Sequence, residues 1–354
     1  MLSLLSAAML PLPLRQFAIV LMCVAPALQP AWAAAQSAPA PATELQERLK
    51  RVGADLFSPR PNPARAIDEL KSILAVDPDL AEAHMLLGIA YRAQGSPELL
   101  SEAVAELRQA ISLKPSLALA RLTLARVYLD MARASRAREE LEIALEELPG
   151  RPEVLSLLGE AERQTGNAKR SVELNREALK ADPGFVQARY YLGLALLDLG
   201  QHAGAIRELE AVAASGANPA EAYLGLGTAY LEAKRIDDAI GALAKAAQAD
   251  PKADTRIRLA RAYRLKGRLN DALQQLQLAR PSATEGLSAL YQSVESDLYM
   301  EEGLIRLQQG RLEAAAEAFQ KVLGLNADHE AAKRQLAEVQ KRLKDARKKP
   351  GESS

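Results

Sequence analysis

The chain has 354 residues, of which 49% are hydrophobic and only 4% aromatic, and its 45 basic side chains balance its 45 acidic ones. Balanced charge excludes the global positive field that gathers nucleic acid, and Cys23, the single cysteine, excludes an intramolecular disulfide and a cysteine metal cluster. An Ala- and Leu-rich mixture favours helix by intrinsic propensity and argues against ordinary α/β domains.

Residues 1–33 read as a signal peptide. Arg15 is their only charged residue, and the apolar run from Phe17 to Leu28 follows it. Ala31 and Ala33 then form the A-x-A arrangement of a cleavage site, which predicts removal after Ala33. The run is shorter than the roughly twenty residues that span a bilayer core; an uncleaved membrane anchor is the alternative. Met22 before Cys23 is too large for a lipoprotein site. The predicted location is therefore periplasmic or otherwise exported. Residues 34–42, "AAQSAPAPA", predict a flexible linker.

From residue 43 to 327 one pattern recurs. A small residue follows a leucine at Gly88, Ala125, Gly159, Gly193, Gly227, Ala260 and Gly303, and from Ala125 to Gly227 every step is 34 residues. A second series, Ala66, Ala103, Ala137, Ser171, Ala205, Ala239, Ala272 and Ala315, runs in phase with it. Pro78, Pro115, Pro149, Pro183, Pro219 and Pro251 fall where units should close. In the stretch from Ala220 to Pro251, Tyr223, Leu226, Gly227 and Tyr230 share one helix face, and Ala239, Leu243 and Ala246 share another.

"HMLLGIAY", "RYYLGLAL" and "AYLGLGTAY", with "RAREELEIALEELP" and "IDDAIGALAKAAQADP", resemble the two halves of the tetratricopeptide repeat. The resemblance covers roughly residues 63–327. It implies an all-α, right-handed superhelical solenoid of about eight helix–turn–helix units, each too small to fold alone and stabilised by its neighbours. Glycine inside a helix costs about 1 kcal/mol against alanine, so the glycines predict close helix–helix approach.

Departures from the period carry further expectations. Thr43, with Gln46 three residues on, predicts the N-cap of an incomplete first unit. Three extra residues near "SPE" enlarge the inter-helix turn after Gly88, and an insertion between Arg280 and Asp297 lengthens a first helix, with Ser282 and Glu285 as its capping box. Residues 328–349 form a polar capping helix with Leu336, Val339 and Leu343 on one face, and residues 350–354 fray. The basic face of this helix suits weak contact with an anionic membrane surface.

No nucleophile elbow, phosphate loop or metalloprotease motif is present. Gly225 and Gly227 fall on repeat positions, and His84, His202 and His329 lie in different units, so packing or surface roles are expected for them. Non-repeat segments are too short for a catalytic domain. The expectation is a protein without catalytic, cofactor-binding or metal-binding residues.

The resemblance further implies that the first helices line a concave partner-binding groove. Its positions here are Met85, Ile89 and Arg92; Leu122, Arg126 and Leu129; Ser156, Glu160 and Arg163; Tyr190, Leu194 and Leu197; Leu224, Thr228 and Leu231; and Ile257, Arg261 and Arg264. The lysine and asparagine of the family's carboxylate-capturing mode are absent from the matching positions. Apolar residues with interspersed arginines suit an amphipathic helix or extended peptide. The expected function is an exported scaffold for protein or peptide partners, an assembly factor in a bacterial envelope that binds no nucleic acid. A guide in a polysaccharide export system and a non-catalytic enzyme subunit are the alternatives.

Overall fold

The computed structural model describes residues 40–217, 219–280 and 289–348, and among these it contains seventeen helices and no strand. Residues 1–39 and 349–354 lie outside the described residues, and with them the leader, Cys23 and the C-terminal tail. The chain divides into two compact units, one ending at Leu199 and the next beginning at Gly200.

The first unit holds α1 (Ala40–Leu56), α2 (Pro63–Val76), α3 (Ala81–Gln94), α4 (Pro97–Leu113), α5 (Ala118–Asp130), α6 (Ala134–Glu147), α7 (Pro152–Gln164), α8 (Ala168–Ala181) and α9 (Val186–Asp198). Odd-numbered helices are the first helices of the repeats. They touch one another in sequence, α1 to α3, α3 to α5, α5 to α7 and α7 to α9, and so form one layer. The even-numbered helices pack between them as a second layer.

The second unit holds α10 (His202–Ala214), α11 (Pro219–Glu232), α12 (Ile236–Ala249), α13 (Ala253–Leu265), α14 (Leu269–Ala279), α15 (Ala289–Gln308), α16 (Leu312–Leu325) and α17 (Glu330–Lys348). Here α11, α13 and α15 make the layer of first helices, and α17 packs on α16. Val339 is fully buried against Ala315 and Phe319, with Leu336 and Leu343 beside it, so α17 covers the apolar face that α16 would otherwise leave wet.

Close approach of paired helices explains the in-helix glycines. A Cβ added to Gly88 would stand 2.5 Å from Leu107 Cγ, and one added to Gly303 would stand 2.5 Å from Phe319 Cε1. Leu107 and Phe319 are fully buried, so the contact returns what glycine loses in helix propensity.

From α3 onward the turn inside each repeat is a helix C-cap with one left-handed residue. Gly166 has φ of 92°, and the next amide, that of Asn167, donates to Glu162 O at 2.8 Å. The same bond recurs from Arg133 to Tyr128 O and from Arg235 to Tyr230 O, but there the left-handed residue is Ala132 (φ 55°) or Lys234 (φ 59°).

Four expectations change. Helix α1 begins at Ala40, upstream of the expected Thr43 N-cap, and takes in residues 40–42 of the expected linker. The three extra residues after Gly88 do not enlarge the turn. They extend α4 to 17 residues, because Ser96 caps it by accepting from the Leu99 amide at 3.3 Å and Pro97 pre-sets its first turn. Pro219 opens α11 rather than closing the unit before it. The later insertion does lengthen a first helix, since α15 has 20 residues against 13 in α13, while Ser282 and Glu285 lie outside the described residues.

Candidate functional site: the face of the first helices

In the first unit, α5 packs against α3, α4, α6 and α7. The expected groove residues of this unit stand on α3, α5, α7 and α9. They divide into three kinds.

The first kind is buried. Met85 and Leu197 are each 8% exposed, Ser156 is fully buried and Glu160 is 5% exposed. The second kind is apolar and half-buried: Ile89, Leu122, Leu129, Tyr190 and Leu194. Ile89, Leu122 and Leu129 pack their inner sides onto the core. Tyr190 lies beside Tyr191, with ring centroids 5.7 Å apart and planes inclined at 48°. Tyr191 escaped the sequence reading because it falls one residue off the groove positions, and its hydroxyl accepts from Gln187 Nε2 at 2.9 Å.

The third kind is charged and tied to the next first helix. Arg92 Nε on α3 donates to Asp130 Oδ2 on α5 at 2.7 Å. Arg163 on α7 reaches Asp198 Oδ2 on α9 at 3.0 Å while its Nε and Nη2 grip Glu160 at 2.8 and 2.9 Å. That grip on Glu160 holds the Arg163 guanidinium above the ordinary arginine range. Arg126, between them on α5, is shifted the other way: burial lowers it first, and the neighbouring Arg92 charge adds to this. Arg92 and Arg163 thus staple consecutive repeats.

In the second unit the expected residues stand on α11 and α13. Leu224 and Leu231 are half-buried and pack toward Leu243, Leu259 and Ala262. Thr228 Oγ1 donates to Leu224 O at 3.0 Å, a bond internal to its helix. Ile257 is 6% exposed. Arg264 Nε donates to Glu301 Oε2 on α15 at 2.7 Å, and Arg261, more exposed, approaches the same carboxylate at 3.8 Å. Asp130, Asp198 and Glu301 were not foreseen, because each pairs with an arginine in another repeat, 35 to 38 residues away.

The histidines have local partners. His84 bridges Glu106 and Pro78 O, His202 stands 3.5 Å from Glu232, and His329 Nδ1 accepts from the Ala332 amide at 3.1 Å at the start of α17. Among the described residues no group of three or more His, Cys, Asp or Glu is placed to hold a metal, and no described helix is long and apolar enough to cross a membrane.

The tetratricopeptide repeat family matches residues 62–118, 122–185, 176–219 and 190–254, more than half of the chain, and a second tetratricopeptide repeat description matches residues 296–329. The human protein O-mannosyl-transferase TMTC1 is 26% identical over 233 residues, covering 65% of this chain and 26% of that protein. The chain thus spans about a quarter of that relative's length. Among solved structures, the APC/C hetero-tetramer Cut9–Hcn1 is 16% identical with a TM-score of 0.62, covering 83% of this chain and 55% of that one. The human IFIT1 dimer with m7Gppp-AAAA is 19% identical with a TM-score of 0.62, covering 84% and 71%. At these identities the two structures show the fold alone.

Proposed function

The chain belongs to the tetratricopeptide repeat family, and from that premise we propose that it is a scaffold that binds protein or peptide partners on the face of its first helices. One observation carries the reading. In the first unit, Ile89, Leu122 and Leu129 on α3 and α5, then Tyr190 and Leu194 on α9, make a half-buried apolar row along the layer of first helices, interrupted at α7 by Glu160 and Arg163 and accompanied by the Arg92–Asp130 and Arg163–Asp198 pairs. These charge pairs join consecutive first helices beside the row. The row then offers apolar contact to an amphipathic helix or an extended segment. Leu224 and Leu231 offer the equivalent surface in the second unit.

The buried residues Met85, Leu197 and Ile257 support that surface from below rather than touching a partner. The transferase activity in the name of the human relative is not carried over, because the match covers 26% of that protein.

The leader read in residues 1–33 supports an exported protein, and with it the role of an assembly factor in a bacterial envelope. The basic residues of α17 support at most weak contact with an anionic membrane. Lys333 is already paired with Glu330, and Arg342 with Glu338, at 3.0 and 2.9 Å.

The test replaces Tyr190 and Leu224 with glutamate together. Partner capture by crosslinking from the envelope should be lost while helical content stays unchanged. Capture equal to that of the wild type contradicts the proposal. Fractionation of the expressed full chain tests the location: recovery in the cytoplasm with the leader intact contradicts export.

A further inference from the structure

A cavity of about 500 Å³ opens between α1 and α2, far in sequence from the apolar row. Val52 and Ala66, both buried, form its floor. Four guanidiniums line it, from Arg48, Arg51, Arg60 and Arg65, against the two carboxylates of Asp55 and Glu69. The lining therefore carries two positive charges in excess, four minus two.

The four arginines are not equivalent. Arg48 is committed to the fold, since its Nε donates to Glu69 Oε1 at 2.7 Å and its Nη2 to Ser72 Oγ at 3.0 Å. Among the described residues Arg51 makes one long hydrogen bond, within its own helix, from Nε to Glu47 O at 3.4 Å. Arg51 and Arg65 both stand within Coulomb range of Glu69: its carboxyl is held below the usual carboxylate range first by the Arg48 hydrogen bond and then also by these two charges. Arg60 sits on the α1–α2 connection between Pro59 and Pro61, whose rings fix the backbone on either side and hold Arg60 at the cavity wall. The N-terminus of α2 adds its positive end, with Asn62 Oδ1 accepting from the Arg65 amide at 3.1 Å.

We propose that this cavity is an anion site that takes a phosphate group between the Arg51, Arg60 and Arg65 guanidiniums. The planar guanidinium fork matches two oxygens of a phosphate at once, and a doubly charged anion neutralises the excess of the lining. An apolar floor under a ring of arginines also favours a phosphate that carries an organic group over a bare ion. Both a free organic phosphate and an anionic phospholipid headgroup present this chemistry.

The test titrates the full chain with inorganic pyrophosphate at low salt by calorimetry. It compares the wild type with Arg51→Gln/Arg65→Gln, with Arg60→Gln, and with Arg207→Gln on α10 as a distant control. The wild type should bind saturably, the double variant about tenfold or more weakly, and Arg60→Gln several-fold more weakly, with the control unchanged. Arg51, Arg60 and Arg65 are exposed, so their replacement should leave the helical circular dichroism intact; the single Arg60 variant keeps the test valid if the double variant does not fold. No saturable binding, or equal affinity in Arg60→Gln and the wild type, overturns the proposal. Succinate binding as tightly as pyrophosphate also overturns it, since the site would then be a carboxylate site. Sedimentation with phosphatidate vesicles against phosphatidylcholine vesicles separates the sources: arginine-dependent phosphatidate binding supports the headgroup, and pyrophosphate binding alone supports a free phosphate.

Discussion

Asn175 is fully buried against Gly159, whose added Cβ would come within 3.1 Å of Asn175 Cγ. Leu107, Leu141, Leu243, Leu276 and Phe319 occupy the same place in other repeats, all nearly or fully buried. The Asn175 amide nitrogen donates to Ser171 O at 2.9 Å and Ser171 Oγ at 3.3 Å, but its Oδ1 has no partner among the described residues. A buried unpaired acceptor costs about 1–3 kcal/mol. Asn175→Leu together with Ser171→Ala should therefore stabilise the pair α7–α8 by about 1–2 kcal/mol. Repeat arrays open by parts, so amide exchange in α7 and α8 is the direct readout, and it should slow. Faster exchange would mean that the polar pair stabilises this repeat.

Gly303→Ala should cost about 1–3 kcal/mol as an overpacked contact, less about 1 kcal/mol regained in helix propensity. The added methyl meets the Phe319 ring at three atoms within 2.9 Å. A thermal midpoint equal to or above that of the wild type would show that the ring has room to move.

The left-handed residues Ala132 and Lys234 occupy a turn position that is Gly166, Gly267 or Gly310 elsewhere. That backbone costs a residue with Cβ about 1–2 kcal/mol, partly offset by the greater unfolded-state freedom of glycine. Lys234→Gly and Ala132→Gly should each stabilise the chain by about 0.5–1 kcal/mol. Chemical denaturation with an unchanged slope and a raised midpoint is the expected record.

Periodicity made the helices and their packing legible, because Gly88, Gly227 and Gly303 mark close contacts that recur every repeat. The additions to the period were not legible in the same way. The extra residues after Gly88 suited a longer turn, and the Ser96 cap with Pro97 in the first turn instead places them in α4. The apolar row was readable as positions, but burial divided it, since Met85 and Tyr190 hold equivalent places and only Tyr190 keeps a substantial exposed edge. The Arg92–Asp130 and Arg264–Glu301 staples depend on which helices become neighbours, which residue spacing alone does not specify.

Tyr230 gives the chain a dependence on alkaline pH. Its hydroxyl donates to Glu210 Oε1 at 2.7 Å, and burial, with that bond, pushes the phenol up to about 12 from an ordinary value of 10. The folded state thus holds this proton more tightly than the unfolded chain. The stabilisation is complete below pH 10 and is lost as pH rises toward 12. Tyr230→Phe should lower stability at neutral pH by about 1 kcal/mol. Its deficit against the wild type should shrink across that alkaline window, as read by denaturation midpoints of both proteins.

The central claim is that partners meet the first-helix face. Site-specific photocrosslinking tests it most directly. A benzophenone side chain is placed at Tyr190 on α9 in one protein and at Ile143 on α6, an exposed apolar residue of a second helix, in another. Crosslinked protein partners from Tyr190 and none from Ile143 are predicted. Equal crosslinking from both positions, or crosslinking from Ile143 alone, would contradict the account.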